Sequence, residues 1–161
     1  MPDVYVGCGS NVEPEQNLRW ALRELEQQFG PLRRSRVYRS AAYGFEGPDF
    51  LNLVVAFSTD RTVAAVEGVL SELETVCGRD DGTRSGSRTL DLDLLLFGER
   101  VDAAWRLPRE DILRYSFVWI PLAELAPGLR HPVTGVAIEA AGQRPTLDDA
   151  NLTPVSVLNA A

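Results

Sequence analysis

The sequence contains no lysine, since all sixteen of its basic residues are arginine. A Schiff base on a lysine amine and a Walker A phosphate-binding loop both require lysine, so both are excluded. If the protein binds phosphate groups, it must use arginine side chains, backbone N–H groups or a metal ion. The missing residue type therefore narrows the phosphate chemistry open to the chain.

Features that mark other classes of protein are also scarce. There are two cysteines and one histidine, which predict neither a disulfide scaffold nor a zinc site, so Cys8 and Cys77 are expected to be small buried thiols. His131 lies in a loop-like segment and is not expected to carry chemistry. No apolar run approaches the roughly 20 residues that span a bilayer, and the first residues lack the features of a signal peptide. The net charge of −7 argues against nucleic acid as a partner. We therefore expect a cytoplasmic protein that binds neither membranes nor nucleic acid.

Hydrophobic periodicity predicts an α+β protein with the element order β-α-β-β-α-β. The predicted strands are 3–8, 32–40, 51–58 and 90–97, and the predicted helices are 13–29 and 61–77. This order is typical of a ferredoxin-like fold, in which two helices cover one face of an antiparallel sheet and leave the other face available.

The chain is expected to form a single domain over residues 1–161. Its ferredoxin-like core is predicted at about 3–98, and a C-terminal extension follows at 99–161. Within the extension, a short helix or turn is expected near 109–115, before an apolar segment at 116–127. The last residues carry apolar patches that are expected to pack on the domain.

The segment RTLDLDLLLFG, residues 88–98, places two carboxylates inside an apolar strand. Side chains alternate along a strand, so Asp91 and Asp93 share one face with Leu95 and Phe97, and the Cα atoms of the two acids lie roughly 7 Å apart. The opposite face carries Leu90, Leu92, Leu94 and Leu96. Two interpretations stay open: an acidic solvent face without a specific role, or a pair of ligands for Mg²⁺, which commonly uses one or two carboxylates together with water and phosphate oxygens.

The loop before this strand, residues 78–88, is polar and rich in glycine. It contains Arg79, Arg84 and Arg88, whose guanidinium groups match phosphate oxygens. It is either a solvated mobile loop or a loop that covers a phosphate ligand. Beside two possible Mg²⁺ ligands, the second interpretation indicates phosphoryl-type chemistry.

Two further segments are candidates for binding or for local structure. In PDFLN, residues 48–52, Phe50 and Asn52 offer the aromatic face and carboxamide that suit a flat heterocycle, although Phe50 is also a candidate core residue. In GSN, residues 9–11, Ser10 or Asn11 is expected to cap the first helix.

Taken in order, these segments resemble the 6-hydroxymethyl-7,8-dihydropterin pyrophosphokinase family over about residues 3–130. The matching blocks are GSN (9–11), YRSAAYG (38–44), PDFLN (48–52), LETVCGR (73–79), SRTLDLDLLLFG (87–98) and FVWIPLAELAP (117–127). The resemblance implies a ferredoxin-like fold and the transfer of a pyrophosphoryl group from ATP, the co-substrate, to the hydroxymethyl group of a reduced pterin. Mg²⁺ would assist and AMP would be released. We expect a monomer or a weak dimer.

By match of motif, the resemblance also implies roles for individual residues. Asp91 and Asp93 would hold two Mg²⁺ ions and, with Arg79 and Arg88, would form the catalytic set. Phe50 and Phe117 would lie on the two faces of the pterin ring. The full set of implied pterin-binding residues is Ser40, Ala41, Ala42, Tyr43, Phe50, Asn52 and Phe117. The implied nucleotide-binding residues are Glu74, Arg79, Arg88, Arg109 and Arg114.

The chain departs from the family on the nucleotide side. Arg109 stands where the family usually has a histidine, Ser85 where the loop usually has a tryptophan, and Asp80-Asp81 where a basic pair is usual. One hypothesis is the pyrophosphokinase itself, with Arg109 and Arg114 replacing other basic residues. The alternative is a divergent paralogue that binds a pterin with weak, altered or absent turnover. A binding protein without phosphate chemistry would not explain the two aspartates.

Overall fold

Six strands in one antiparallel sheet form the framework of the structure, a computed structural model that describes residues 1–41, 47–78, 89–139, 152–156 and 158. The strands are β1 (Asp3–Ser10), β2 (Arg33–Arg34), β3 (Val37–Ser40), β4 (Phe50–Ser58), β5 (Asp91–Phe97) and β6 (Thr153–Val155). The helices are α1 (Pro14–Phe29), α2 (Val63–Gly78), α3 (Asp111–Arg114) and α4 (Ser116–Leu125), and a 3-10 turn spans Ala103–Trp105. The strand order is β5-β1-β4-β3-β6, and β2 pairs with β4. The two long helices connect strands that lie apart in this order, as the ferredoxin-like prediction requires.

Helices α1 and α2 pack against the first face of the sheet through the apolar residues that the periodicity predicts. The buried positions are Leu18, Ala21, Leu22 and Leu25 in α1 and Val63, Val66, Leu70 and Leu73 in α2. Phe29, at the end of α1, stacks on Phe57 of β4 with ring centroids 4.2 Å apart. This layer supplies most of the apolar burial that holds the helices on the sheet.

The predicted strand 32–40 is divided in the structure. The register changes from Arg34 opposite Val55 to Tyr38 opposite Asn52, which leaves one extra residue between β2 and β3. At this irregularity the Ser35 hydroxyl accepts the backbone N–H of Val54 at 3.0 Å. A side chain thus replaces a ladder acceptor, which is how the sheet tolerates the interruption.

The second face of the sheet, which the two long helices leave available as predicted, is partly covered by the extension. Helices α3 and α4 pack on it through an apolar cluster that includes Ile112, Val118, Trp119 and Leu122. The Trp119 indole N–H donates to the carbonyl of Glu139 at 2.9 Å. Most of the predicted apolar segment 116–127 is therefore the helix α4, which covers one half of this face.

A β-bulge in β5 changes the predicted alternation. Val6 lies opposite Leu94 and Tyr5 opposite Leu96, so Leu95 is an extra residue on the β5 side. Beyond the bulge, Leu96 joins the second-face cluster and Phe97 joins the first-face core. The face assignment made from simple alternation is therefore wrong for these two residues, although it holds for Asp91 through Leu95.

The C-terminal residues that the structure describes pack on the domain, as expected. Strand β6 pairs with β3, and Leu158 lies in the first-face core. None of the helices among the described residues has the length and apolar character that a bilayer crossing demands.

Candidate active site

A pocket of about 300 Å³ opens on the second face of the sheet, beside the half that α4 covers. Its walls come from β1, β4, β5, the end of β3 and the start of α4. The lining residues are Gly7, Cys8, Gly9, Ser40, Ala41, Phe50, Asn52, Leu53, Val54, Asp91, Asp93, Leu95, Tyr115, Phe117 and Val118. The fold therefore brings the predicted aromatic, amide and carboxylate residues, which are distant in sequence, into one cavity.

Asn52 forms the polar part of the pocket floor. It is buried, and its Nδ2 donates a 2.8 Å hydrogen bond to the hydroxyl of Ser40 on the neighbouring strand. Gly9 of β1 lies directly between Asn52 of β4 and Asp91 of β5. A Cβ at Gly9 would lie 2.7 Å from Asn52 Oδ1, so only glycine allows this close approach. Gly9 thus permits the orientation that directs a carboxamide into the cavity.

Aromatic side chains supply the pocket with flat apolar surface. Phe50 is only partly buried, as a binding residue would be, and it lines the pocket together with Phe117 of α4. Tyr115 stacks against Phe117 with centroids 5.0 Å apart and planes inclined by 21°. The sequence did not single out Tyr115 as a pocket residue, and its only signal was its place two residues before Phe117.

Three carboxylates meet beside the pocket, and two of them, Asp91 and Asp93, line it. One oxygen from each of Glu74, Asp91 and Asp93 lies within 4.8 Å of the others. Glu74 reaches across from α2 and accepts the backbone N–H of Leu92 at 2.8 Å. Hard oxygen donors converging in this way fit Mg²⁺, so these residues could hold a metal ion.

Burial and mutual repulsion perturb these acids. Burial raises the pKa of Glu74 to about 7. The negative charges of Asp91 and Asp93 raise it as well, whereas the hydrogen bond from the Leu92 backbone lowers it. Burial and the charge of Asp91 also raise the pKa of Asp93, although Arg109 acts in the opposite direction. The raised pKa values mean that the three carboxyl groups do not all ionise easily by themselves. A bound cation would compensate their negative charge and favour the ionised forms.

Among the described residues, Arg109 is a cation in direct contact with this cluster. Its Nη2 lies 3.3 Å from Asp93 Oδ1, and its Nε lies 3.3 Å from Asp111 Oδ2. Its backbone N–H donates to the carbonyl of Leu95, the bulged residue of β5, at 3.0 Å. The structure thus brings Arg109 to the acids with its charge directed at Asp93, whereas its contact with nucleotide stays a prediction.

The turn Ser10–Asn11 anchors the segments that enter the site, and the expectation that it caps α1 is wrong. Glu13 occupies the N-cap position without a side-chain cap. The Ser10 hydroxyl instead donates to the carbonyl of Thr89, and Asn11 Nδ2 donates to the carbonyl of Pro48 at 3.2 Å. These bonds fix the residues that precede β5 and β4, the strands that carry Asp91 and Asn52.

Some predicted site residues lie outside the described part of the chain. They are Ala42, Tyr43, Arg79 and Arg88, with the loop positions Asp80, Asp81 and Ser85. Arg114 is described but does not line the pocket: it is largely exposed and pairs with Glu110 at 3.1 Å. Its guanidinium lies 5.8 Å from the ring centroid of Tyr115, at the rim.

The cysteines and the histidine have no acid–base position in the site. Cys8 is buried against the pocket and its pKa is raised by burial, so it remains a thiol, whereas Cys77 is only partly buried. His131 Nδ1 accepts the backbone N–H groups of Val133 and Thr134, both at 3.2 Å. It therefore stabilises a turn in the extension.

Comparison with known proteins gives a consistent family match. The model of the 7,8-dihydro-6-hydroxymethylpterin-pyrophosphokinase family matches residues 5–127. A protein of Pseudomonas aeruginosa named 2-amino-4-hydroxy-6-hydroxymethyldihydropteridine pyrophosphokinase is 38% identical over 138 residues, which cover 80% of this chain and 83% of the relative. A protein of the same name from Synechocystis is 36% identical over 140 residues, covering 84% of this chain and 72% of the relative.

A relative named as a bifunctional protein matches as well. The mitochondrial folate synthesis bifunctional protein of Arabidopsis thaliana is 34% identical over 128 residues. These residues cover 76% of this chain and 23% of the plant protein. The family match over residues 5–127 covers the predicted core from residue 5 onward and includes every described residue that lines the pocket.

Proposed function

The chain belongs to the 7,8-dihydro-6-hydroxymethylpterin-pyrophosphokinase family, and from this premise we propose that it transfers a pyrophosphoryl group from ATP to 6-hydroxymethyl-7,8-dihydropterin. The products are AMP and the pterin diphosphate, and the reaction belongs to folate biosynthesis. One observation carries the proposal: a single cavity joins Phe50, Asn52 and Phe117 to Asp91 and Asp93. The aromatic and amide side chains suit a flat heterocycle, and the carboxylates suit a phosphate-bound metal ion.

The pterin half of the pocket binds by stacking and edge recognition. Phe50 and Phe117 offer ring surface for the pterin, and the Tyr115 ring that stacks on Phe117 limits how far Phe117 can turn. Asn52 presents its carboxamide to the edge of the heterocycle, and the hydrogen bond to Ser40 fixes the orientation of that group. A preorganised site of this kind loses little conformational entropy when the substrate binds.

The carboxylate half is proposed to hold Mg²⁺ between the two substrates. Asp91 and Asp93 would be its ligands, and Glu74 lies close enough that it would contribute a third oxygen. When bound, Mg²⁺ neutralises charge on the phosphate groups. The protein residues then position the pterin hydroxyl in line with the β-phosphorus, and no protein nucleophile is required.

Arginines complete the proposed nucleotide side. Arg79 and Arg88 are proposed to contact the phosphates, and Arg109 and Arg114 to lie near them. Without lysine or a catalytic histidine, guanidinium groups are the cations this chain has for that task. We further propose that the protein acts in the cytoplasm and is a monomer or weak dimer. Size-exclusion chromatography coupled to light scattering would test the oligomeric state.

The test of function is AMP formation. The protein is incubated with ATP, Mg²⁺ and 6-hydroxymethyl-7,8-dihydropterin, and AMP is measured with and without the pterin. AMP that forms only with pterin present supports the pyrophosphokinase. Tight pterin binding without AMP would instead favour the divergent paralogue.

Variants of the acids test the metal assignment. Asp91→Asn and Asp93→Asn are each expected to reduce turnover by about 100-fold or more while preserving the circular dichroism spectrum. Asp60→Asn, an equal charge change at an exposed position before α2, should leave turnover unchanged. Full activity in either site variant would refute the metal assignment.

A further inference from the structure

Arg109 lies between two carboxylates, and only one of them belongs to the proposed metal site. The Asp93 contact is made by Nη2 and the Asp111 contact by Nε, each at 3.3 Å. The exposed fractions of the side chains are 19% for Arg109, 28% for Asp93 and 19% for Asp111. The three charges are therefore largely shielded from water. Electrostatic interactions in such surroundings are stronger than at the surface.

The backbone fixes this arrangement from both sides. Arg109 is held on β5 by its hydrogen bond to the Leu95 carbonyl, two residues beyond Asp93. Asp111 begins α3, and the backbone N–H of Ile112 in its first turn donates to the Arg109 carbonyl at 3.2 Å. The guanidinium thus has a defined place between its two acids.

A cation at this place affects how Asp93 binds another cation. A divalent ion bound by Asp93 meets the positive charge of Arg109 within a few ångströms and must also compete for the carboxylate oxygen that Arg109 contacts. Asp111 opposes both effects, because it shares the guanidinium and contributes a negative charge that is not a metal ligand. Glu67 on α2 and Arg106 add charges of opposite sign at longer range.

We propose that Arg109 is a positioning residue that acts as the resident counter-cation of Asp93, lowering its affinity for a divalent cation when no nucleotide is bound, and that Asp111 limits this effect by holding the other side of the guanidinium. The inference rests on the proposed function, since it takes Asp93 as a metal ligand. The counter-cation role has a consequence for nucleotide binding. A triphosphate that attracts the Arg109 guanidinium weakens its ion pair with Asp93 and so leaves the Asp93 carboxylate available to the metal ion. Nucleotide and metal ion therefore increase each other's affinity.

The two variants Arg109→Gln and Asp111→Asn are expected to change metal affinity in opposite directions. Mg²⁺ binding to the full chain, without ATP or pterin, is measured by titration calorimetry at about pH 8.5, where carboxylates are ionised. Arg109→Gln should bind Mg²⁺ about tenfold more tightly than the unaltered protein, and Asp111→Asn several-fold more weakly. Arg100→Gln removes an arginine from another 3.3 Å ion pair, with Asp102, and should change affinity less than twofold. A role of Arg109 in folding alone would not produce opposite shifts.

Thermal unfolding gives a second readout. Without Mg²⁺, Arg109→Gln should unfold at a lower temperature than the unaltered protein, and saturating Mg²⁺ should raise its midpoint by more than it raises that of the unaltered protein. If Arg109→Gln does not fold, Asp111→Asn decides alone, and unchanged or tighter Mg²⁺ binding in that variant overturns the proposal.

The outcomes separate this inference from the proposed function. If the unaltered protein binds Mg²⁺ and Arg109→Gln binds it equally or more weakly, the counter-cation role is refuted and the pyrophosphokinase assignment stands. If the unaltered protein binds no Mg²⁺ and forms no AMP with both substrates, the metal assignment fails and this inference fails with it.

Discussion

Replacing Gly9 with alanine tests the construction of the pocket floor. A methyl group at this position would lie 2.7 Å from Asn52 Oδ1, closer than two such atoms can approach. Asn52 is buried and donates to Ser40, so it cannot move without breaking that hydrogen bond. We therefore expect Gly9→Ala to rotate the carboxamide out of its binding orientation.

The expected magnitude follows from three contributions. Overpacking costs about 1 to 3 kcal/mol, and the lost hydrogen bond costs about 1 kcal/mol. The reduced entropy of the unfolded chain offsets roughly 0.5 to 1 kcal/mol of this. A net loss of about 1 to 3.5 kcal/mol lowers the midpoint of thermal unfolding by about 2 to 14 °C in a chain of this size. Pterin affinity should fall by roughly tenfold or more, since the edge contact is lost.

Gly7→Ala is the matched control on the same strand. Its methyl would meet Leu95 Cδ1 at 3.5 Å, an ordinary contact, so its unfolding midpoint should stay within about 2 °C of the unaltered value. Differential scanning fluorimetry and pterin titration by fluorescence measure both quantities. The reasoning is refuted if Gly9→Ala keeps the midpoint of Gly7→Ala and binds pterin unchanged. The double variant Gly9→Ala/Asn52→Ala should lose less stability than the sum of the losses in the two single variants, because the second change removes the clash.

Phe50→Ala should chiefly weaken pterin binding, by about 1 to 3 kcal/mol for the lost ring surface; an unchanged pterin dissociation constant would remove Phe50 from the pocket. The raised pKa of Glu74, about 7 in the folded protein against 4.5 as the ordinary value, predicts a pH dependence of stability. The folded state binds more protons than the unfolded state between these values, so the free energy of unfolding of the metal-free protein should decrease as pH rises from about 4.5 to about 7. Allowing for solvent screening of this partly exposed group, the decrease is on the order of 1 to 2 kcal/mol. Denaturant titrations at several pH values should show it, and Glu74→Gln should reduce the slope; an equal slope in that variant would contradict the assignment to Glu74.

Local sequence pattern was sufficient for the strands and the two long helices of the core, apart from the break between β2 and β3, and for several residues that line the pocket. The 3.6-residue period of α1 and α2 predicted their buried faces, and period-2 alternation placed Asp91 and Asp93 on one side of β5. Alternation failed after Leu95, because the bulge depends on how β5 pairs with β1 and not on β5 alone. The extension escaped a full prediction for a similar reason: the apolar residues of α4 revealed that it is buried, but not which face of the sheet it covers.

The interactions within the site were harder to predict than its residue types. Asn52 was predicted from its residue type, whereas its dependence on Gly9 arises from cross-strand register. Arg109 was predicted as a phosphate contact by resemblance, but its ion pairs with Asp93 and Asp111 depend on the chain's return to β5 after the 3-10 turn. The contacts of Gly9 with Asn52 and of Arg109 with Asp93 join residues that lie far apart in the sequence, and the local pattern around one residue does not predict its contact with the other.

The short strand β6 has a consequence for the integrity of the molecule. Its three residues satisfy the outer hydrogen-bonding groups of β3, the strand that ends at the pocket residue Ser40. Without β6, β3 would become an open strand edge on which a second chain could add a strand. Shortening the chain before Thr153, or attaching a bulky tag close to it, would therefore favour self-association through this edge before it altered the chemistry of the pocket.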